Sequence, residues 1–275
     1  MDQPELCFIG GGNMAASLIG GLIADGYPAD RIRVADPDPA RLQALAQRFG
    51  VTTEADNARA CRGAGVVVLA VKPQVMGAVA RALGPDLTPD RPLVISIAAG
   101  IRTGDLARWL GAELPLVRCM PNTPALVQSG ATALFATAAT SEAQRELAES
   151  ILRAVGLTLW LDDEALMDAF TALSGSGPAY FFLLMEAMAA AGEELGLEAE
   201  AARLLTLQTA FGAAKMALEA EEEPAELRRR VTSPGGTTER ALAVFESGGF
   251  RELVAAALQA ARDRSRELAE QLGRD

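Results

Sequence analysis

Hydrophobic residues in the first 160 positions fall into short continuous runs that alternate with amphipathic stretches. The runs Leu6–Ile9 and Val66–Val71 contain no polar residue, as is typical of strands buried on both faces of a parallel sheet. Between such runs, apolar residues recur at helical spacing, for example over Met14–Asp25 and Ala40–Phe49. This alternation predicts a doubly wound α/β domain over residues 1–162.

The pattern changes from Asp162 onward. Strand signals nearly vanish, alanine and leucine dominate, and helical periodicity continues to the end of the chain, which predicts an all-α domain over residues 163–275. Two predicted helices, 178–192 and 201–218, are apolar on more than one face. Such helices must be buried, and a domain of this size has little room to bury them. We therefore expect an oligomer interface there.

Composition excludes several classes of function. Half of the 275 residues are hydrophobic and the formal net charge is −11, which allows a large core and argues against nucleic-acid binding. The chain has no basic amphipathic helix and no signal-peptide pattern, so we expect no membrane partner. Its three cysteines form no CxxC pair, which predicts no metal site and favours the cytoplasm.

The chain contains no histidine. The commonest general acid or base and the commonest metal ligand are therefore missing. Any chemistry must use hydroxyls, lysine, tyrosine, carboxylates, a cofactor or a proton that the substrate itself carries.

A glycine motif, Gly10-Gly11-Gly12-Asn13-Met14-Ala15, follows the first predicted strand and opens the first helix. In a G-x-G-x-x-A pattern, the first glycine permits a tight turn, the second lets a pyrophosphate approach the backbone, and the small alanine lets the helix pack closely. The helix N-terminus offers free N–H groups to the phosphates. The motif predicts dinucleotide binding; the alternative is a glycine-rich turn that binds nothing.

Asp36 ends the second predicted strand, where such folds contact the adenosine ribose. A carboxylate here accepts a hydrogen bond from a 2′-hydroxyl and repels a 2′-phosphate, which favours NADH over NADPH. Arg33 and Arg41 are close enough in sequence to weaken that repulsion. The alternative is that Asp36-Pro37-Asp38-Pro39 only caps the next helix.

Further candidates follow the third and fourth predicted strands of this domain. Lys72 and Pro73 end one strand, and Ala98 and Ala99 end the next, at the sheet edge where ligands bind. Lys72 is a candidate for a phosphate or ribose contact, or else a solvated loop lysine. The two alanines are small enough for a nicotinamide ring to lie against the backbone.

The stretch Ser233-Pro234-Gly235-Gly236-Thr237-Thr238 precedes a predicted helix at 239–247. Its glycines can aim successive N–H groups at an anion, and Thr237 or Thr238 can cap the helix. Free backbone donors at a helix N-terminus make a small anion site. The alternative is an ordinary capped turn, for which this composition is also suitable.

Taken together, six motifs resemble the pyrroline-5-carboxylate reductase family over essentially the whole chain. They are GGGNMA at 10–15, AVKP at 70–73, SIAAG at 96–100, RCMPNTPA at 118–125, SGSGPAY at 174–180 and SPGGTT at 233–238. The resemblance implies a Rossmann-like N-terminal domain and reduction of 1-pyrroline-5-carboxylate to L-proline with NADPH or NADH. It also implies a homodimer through the helical domains, which in many members assembles into a decamer.

The resemblance also implies site residues. Those for the cofactor are Ile9, Gly10, Gly11, Gly12, Asn13, Met14, Asp36, Asn57, Lys72, Pro73, Ala98 and Ala99. Those for the substrate are Glu221, Ser233, Gly236, Thr237 and Thr238, with Thr238 as the catalytic candidate. Glu221 is otherwise part of a solvated acidic run. NADPH-preferring members often have Ser, Thr or Asn at the position of Asp36, so this chain departs from their pattern.

The implied chemistry suits a chain without histidine. A cyclic imine needs a hydride at carbon and a proton at nitrogen, and its iminium form already carries that proton. One alternative is a 3-hydroxyacid-type dehydrogenase with the same two-domain plan, for which Lys215 is the sole candidate lysine in the helical region. Another is a nucleotide sensor without enzymatic activity.

Overall fold

The predicted α/β fold is confirmed by a computed structural model, which describes residues 3–274. Within these residues, eight strands form one sheet with the order β3-β2-β1-β4-β5-β6-β7-β8. All neighbouring strands are parallel except β6 and β7, which are antiparallel. The strands are β1 (Leu6–Ile9), β2 (Ile32–Ala35), β3 (Thr52–Glu54), β4 (Val66–Leu69), β5 (Leu93–Ser96), β6 (Leu116–Pro121), β7 (Gly130–Ala136) and β8 (Gly156–Trp160).

Strands β1 and β4 are apolar throughout because the sheet has a hydrophobic core on each face. Side chains of β1 alternate between the two cores: Leu6 and Phe8 enter one, and Cys7 and Ile9 enter the other. Successive strand residues point to opposite faces, so a strand covered by a core on both sides favours apolar side chains at every position. The strand order reverses between β1 and β4, which is the switch point at which doubly wound sheets bind ligands.

Contacts between Cα atoms divide the chain into two compact units. The first comprises the chain up to Ser176 together with the segment from Ala261 onward, and the second comprises Gly177–Ala260. The domains predicted from the sequence, 1–162 and 163–275, stay a prediction. The α-helices of the first unit that precede Gly177 are α1 (Asn13–Ala24), α2 (Pro39–Phe49), α3 (Asn57–Cys61), α4 (Pro73–Leu87), α5 (Thr103–Leu110), α6 (Glu142–Arg153) and α7 (Leu166–Phe170).

The second unit is helical, as the sequence predicts. Its helices are α8 (Gly177–Glu194), α9 (Ala199–Glu219), α10 (Pro224–Arg230), α11 (Thr237–Ser247) and the first part of α12 (Phe250–Leu272). Helix α12 continues into the first unit. No helix among the described residues is both long enough and apolar enough to cross a membrane.

Many large apolar side chains of α8 and α9 remain exposed in the single chain. Phe181, Phe182 and Leu183 each expose more than 60% of their surface. Monomeric proteins rarely leave contiguous apolar patches of this kind open to water. Helices that are apolar on more than one face predict an oligomer interface, and such an interface would cover these exposed side chains.

Candidate active site

The predicted cofactor residues of the first unit meet at one edge of the sheet. Strands β1, β2, β4 and β5 are parallel neighbours, so their carboxyl ends lie side by side. Gly10 follows β1, Asp36 follows β2, Lys72 lies shortly after β4 and Ala98 shortly after β5. Asn57 begins α3 after the next parallel strand, β3.

The glycine turn has the geometry that close approach of a phosphate requires. Gly10 has φ +99°, and a Cβ there would lie 2.7 Å from the carbonyl oxygen of Ala70. A Cβ on Gly12 would meet nothing within 4 Å, so the space above the turn is open. Gly12 precedes α1 and no side chain caps this helix, which leaves its first N–H groups free for a ligand. These features fit a dinucleotide pyrophosphate.

Asp36 is buried and accepts hydrogen bonds from the glycine turn, from Asp38 and from Arg41. Its Oδ2 accepts hydrogen bonds from the Gly11 N–H at 2.8 Å and from Arg41 Nη1 at 3.0 Å, and its Oδ1 accepts from the Asp38 N–H at 2.9 Å. Burial raises the pKa of the carboxyl, but the three donors lower it by more, so the pKa of Asp36 lies below its ordinary value. Asp36 therefore braces the glycine turn as an anion.

The alternative interpretation, that the segment Asp36–Pro39 caps the next helix, is confirmed for Asp38. Asp38, not Asp36, is the N-cap of α2, and its side chain accepts from the N–H groups of Ala40 and Arg41. Arg33 does not approach Asp36: it donates to the carbonyl oxygens of Ala60 and Arg62. The expectation that Arg33 weakens repulsion near Asp36 was therefore wrong, since hydrogen bonding draws its side chain elsewhere.

A cavity of about 380 Å³ adjoins the residues that follow β4 and β5. Pro73, Ala99 and Gly100 line it, together with residues that the sequence did not indicate for the cofactor, among them Thr171, Ser176, Arg264, Ser265 and Leu268. Ser176 belongs to the SGSGPAY motif, whereas the residues of α12 carry no motif that a single sequence reveals. Lys72 is exposed and forms no ion pair within residues 3–274.

The RCMPNTPA motif is an anchoring segment in this structure. Arg118 is buried, and its Nη1 lies 2.9 Å from Glu164 Oε1. The amide oxygen of Asn122 accepts from the Ala131 N–H, and its amide nitrogen donates to the carbonyl and hydroxyl oxygens of Ser174. Ser174 lies in the π-helical turn Thr171–Gly175. The motif therefore ties β7 to the segment that lines the cavity.

The loop from Ser233 to Gly236 is a type II turn in the second unit. The Gly236 N–H donates to the Ser233 carbonyl at 3.0 Å, and Gly235 has φ +73°, which a side chain would disfavour. The predicted helix start was wrong by two residues: α11 begins at Thr237, and its N-cap is Gly236 without a side-chain cap. An extended glycine can take the cap position, so both threonines lie in the first helical turn.

Two other candidates in the second unit are exposed. Glu221 lies in the segment between α9 and α10. Lys215 is exposed on α9, and its Nζ lies 3.7 Å from Glu219 Oε1. A surface lysine paired within its own helix does not favour the 3-hydroxyacid-type dehydrogenase.

Comparison with known families identifies the chain. Residues 164–268 match the family model described as pyrroline-5-carboxylate reductase dimerisation, and residues 5–100 match that described as NADP oxidoreductase coenzyme F420-dependent. The chain is 60% identical over 273 residues to a pyrroline-5-carboxylate reductase of Pseudomonas aeruginosa, covering 99% of this chain and all of that protein. The chain belongs to the pyrroline-5-carboxylate reductase family. The resemblance inferred from its motifs is thereby confirmed.

Solved structures of this family superpose on the chain along its length. A pyrroline-5-carboxylate reductase from Coxiella burnetii is 49% identical, with a TM-score of 0.94 over 97% of this chain and 99% of that one. A Plasmodium falciparum pyrroline carboxylate reductase with NADP bound is 29% identical, with a TM-score of 0.86 over 98% and 99%. The use of a nicotinamide dinucleotide is confirmed, whereas the individual site residues stay predictions.

Proposed function

We propose that this protein reduces 1-pyrroline-5-carboxylate to L-proline with NADPH or NADH, the last step of proline biosynthesis. The observation that carries the proposal is the 60% identity with a pyrroline-5-carboxylate reductase over nearly the whole chain. The site geometry supports it, since an open glycine turn and an uncapped helix lie at the switch point of the sheet.

In the proposed cofactor site, backbone groups carry most of the binding. The N–H groups at the start of α1 hold the pyrophosphate, where the helix dipole favours negative charge. Asn57 and Lys72 contribute polar contacts along the same edge. When bound, the nicotinamide supplies the hydride. Ala98 and Ala99 place no bulky side chain beside the ring, so it can lie against the backbone.

In the proposed substrate site, the loop before α11 holds the carboxylate. The Gly235 N–H already donates to Glu239 Oε2 and the Gly236 N–H to the Ser233 carbonyl oxygen. The donors proposed for the carboxylate are therefore the N–H groups in the first turn of α11, which no side chain caps, and the α11 dipole adds to their attraction for an anion. Ser233, Gly236 and Thr237 contribute to this anion site. Thr238 is proposed to donate a hydrogen bond to the ring nitrogen as hydride arrives, and Glu221 to contact the ring.

We further propose that the helical unit forms a homodimer and that dimers assemble into a decamer in the cytoplasm. The match to a dimerisation family supports an oligomer. The exposed apolar side chains of α8 and α9 support the placement of its interface in the helical unit. Decameric assembly is common in the family that the motifs resemble.

The function is tested by assaying purified protein with 1-pyrroline-5-carboxylate and either NADH or NADPH, and in reverse with L-proline and NAD⁺. We expect turnover in both directions. Binding of a nucleotide without turnover in either direction would instead support a sensor, and would contradict the reductase.

Thr238→Ala tests the catalytic assignment. We expect kcat to fall by roughly tenfold to a hundredfold, because the ring nitrogen gains a lone pair as hydride adds to carbon, and the hydrogen bond that the Thr238 hydroxyl would donate to it is lost. Thr232→Ala is a matched control in the same segment, since its hydroxyl donates only to the Arg228 carbonyl of its own chain. Unchanged kcat in Thr238→Ala would remove this residue from the mechanism.

A further inference from the structure

Arg41 places a cation beside Asp36, where the adenosine ribose would bind. The Arg41 guanidinium lies 3.0 Å from Asp36 Oδ2, and its side chain is half-exposed, whereas the Asp36 side chain is almost fully buried. A Cβ on Gly11 would lie 3.4 Å from Arg41 Cδ, so the arginine stem packs beside the glycine turn. Arg41 therefore lies next to both Asp36 and the turn, with half of its side chain open to solvent.

Asp36 is poorly placed to exclude a phosphate. A carboxylate offers about four acceptor positions, and three donors already occupy Asp36. One position remains for a ribose hydroxyl, while the charge is neutralised by Arg41. Asp38 also lies near Arg41: its Oδ2 is 3.9 Å from Arg41 Nη2, and its Oδ1 accepts from the Ala40 N–H in the α2 cap.

Arg41 also has N–H groups that make no hydrogen bond to the described residues. A guanidinium has five N–H groups in a planar fork that suits phosphate, and the interactions among the described residues use one of them within hydrogen-bond distance, at Asp36. Arg33 cannot take this role, because its guanidinium is bound to backbone carbonyls and to Glu5. Of the two arginines near Asp36 in the sequence, Arg41 on α2 is therefore the candidate for a 2′-phosphate contact.

We infer that Arg41 forms a 2′-phosphate subsite, so that this chain binds NADPH as well as NADH in spite of Asp36. The inference rests on the proposed function, in that it assumes a dinucleotide on the glycine turn. With NADH, Arg41 stays paired with Asp36 and the ribose hydroxyl uses the remaining acceptor. With NADPH, the free N–H groups of the same guanidinium meet the phosphate.

The test is calorimetric titration, which needs no turnover. The probes are NADPH and NADH, with 2′,5′-ADP and 5′-AMP as a pair that differ only in the 2′-phosphate. We expect Arg41→Gln to raise the Kd for NADPH and 2′,5′-ADP by about tenfold or more, since a charge-assisted hydrogen bond is lost. The Kd for NADH and 5′-AMP should change by less than about threefold, because those ligands lack that contact.

Two further variants serve as controls for the Arg41→Gln result. Arg48→Gln removes the same charge from the same helix, where Arg48 lies over the Phe49 ring, and should leave all four affinities unchanged. Arg41→Lys keeps the charge without the fork and should restore part of the NADPH affinity. Equal effects of Arg41→Gln on phosphorylated and unphosphorylated ligands, or no effect on either, would overturn the inference. Protein that binds both cofactors but does not reduce the imine would overturn the proposed reaction and leave the subsite standing.

Discussion

The ion pair between buried Arg118 and partly buried Glu164 yields a quantitative prediction about stability. Glu164 joins three parts of the first unit: Oε1 accepts from Arg118 Nη1 at 2.9 Å and from the Thr103 N–H at 2.8 Å, and Oε2 accepts from the Thr103 hydroxyl at 2.7 Å. Thr103 begins α5, so the carboxylate also satisfies a free N–H at the start of that helix. Glu164→Ala would remove all three interactions at once.

The expected loss follows from burial. The Arg118 side chain is only 5% exposed, so Glu164→Ala leaves an unpaired charge inside the protein. Breaking a buried pair from one side costs about 3–5 kcal/mol, and 1 kcal/mol shifts Tm by about 2–4 °C in a chain of roughly 150–250 residues. We expect Tm to fall by roughly 10 °C in differential scanning calorimetry.

Three controls decide whether the pair is the cause. Glu142→Ala removes an exposed carboxylate on α6 whose nearest arginine atom is 3.8 Å away, and it should cost less than about 1 kcal/mol. Glu164→Gln keeps one acceptor and should lie between wild type and Glu164→Ala. Combining Arg118→Met with Glu164→Leu should recover most of the loss, because no buried charge then lacks a partner. A Tm change below about 2 °C in Glu164→Ala would refute the reasoning.

Further predictions concern the cofactor turn and the helical unit. Gly12→Ala should leave Tm unchanged, because a Cβ there meets nothing within 4 Å, but it should raise the Kd for NADH at least about tenfold by calorimetry if a phosphate occupies that space. Because the pKa of Asp36 is lowered in the folded state, its stabilisation is complete above the unfolded pKa and is lost as pH falls through the folded pKa; urea unfolding of Asp36→Asn should lose that part of the acid dependence. Phe181→Glu should shift the oligomer towards monomer in sedimentation velocity, whereas Leu157→Glu, an equally exposed site on β8, should not.

Local patterns in the sequence predicted the main elements. The uninterrupted apolar runs of β1 and β4 indicated strands buried on both faces, and two cores confirm this. The short strand β3 and the five-residue helix α3 were not predicted, because elements of that length show no clear periodicity. The antiparallel insertion of β7 beside β6 was also missed, since strand direction depends on how distant segments pair.

Within the candidate site, the sequence predicted which residues gather but not what each of them contacts. The motif residues after β1, β2, β4 and β5 do meet at one edge, because parallel neighbours align their carboxyl ends. Asp36 was interpreted as a ribose ligand, yet it also holds the Gly11 N–H and Arg41. The participation of α12 in the cavity has no signature in the sequence.

Periodicity, glycine placement and six motifs were enough, by themselves, to determine the fold class, the family and the use of a nicotinamide cofactor. These properties depend on residues close together in the chain, where steric rules leave few conformations. Tertiary structure alone decided the contacts of Asp36 with Gly11, of Arg118 with Glu164 and of Asn122 with Ser174, whose partners lie 25, 46 and 52 positions apart. Hydrogen bonds over such distances form only after packing has brought the segments together, so no local pattern encodes them.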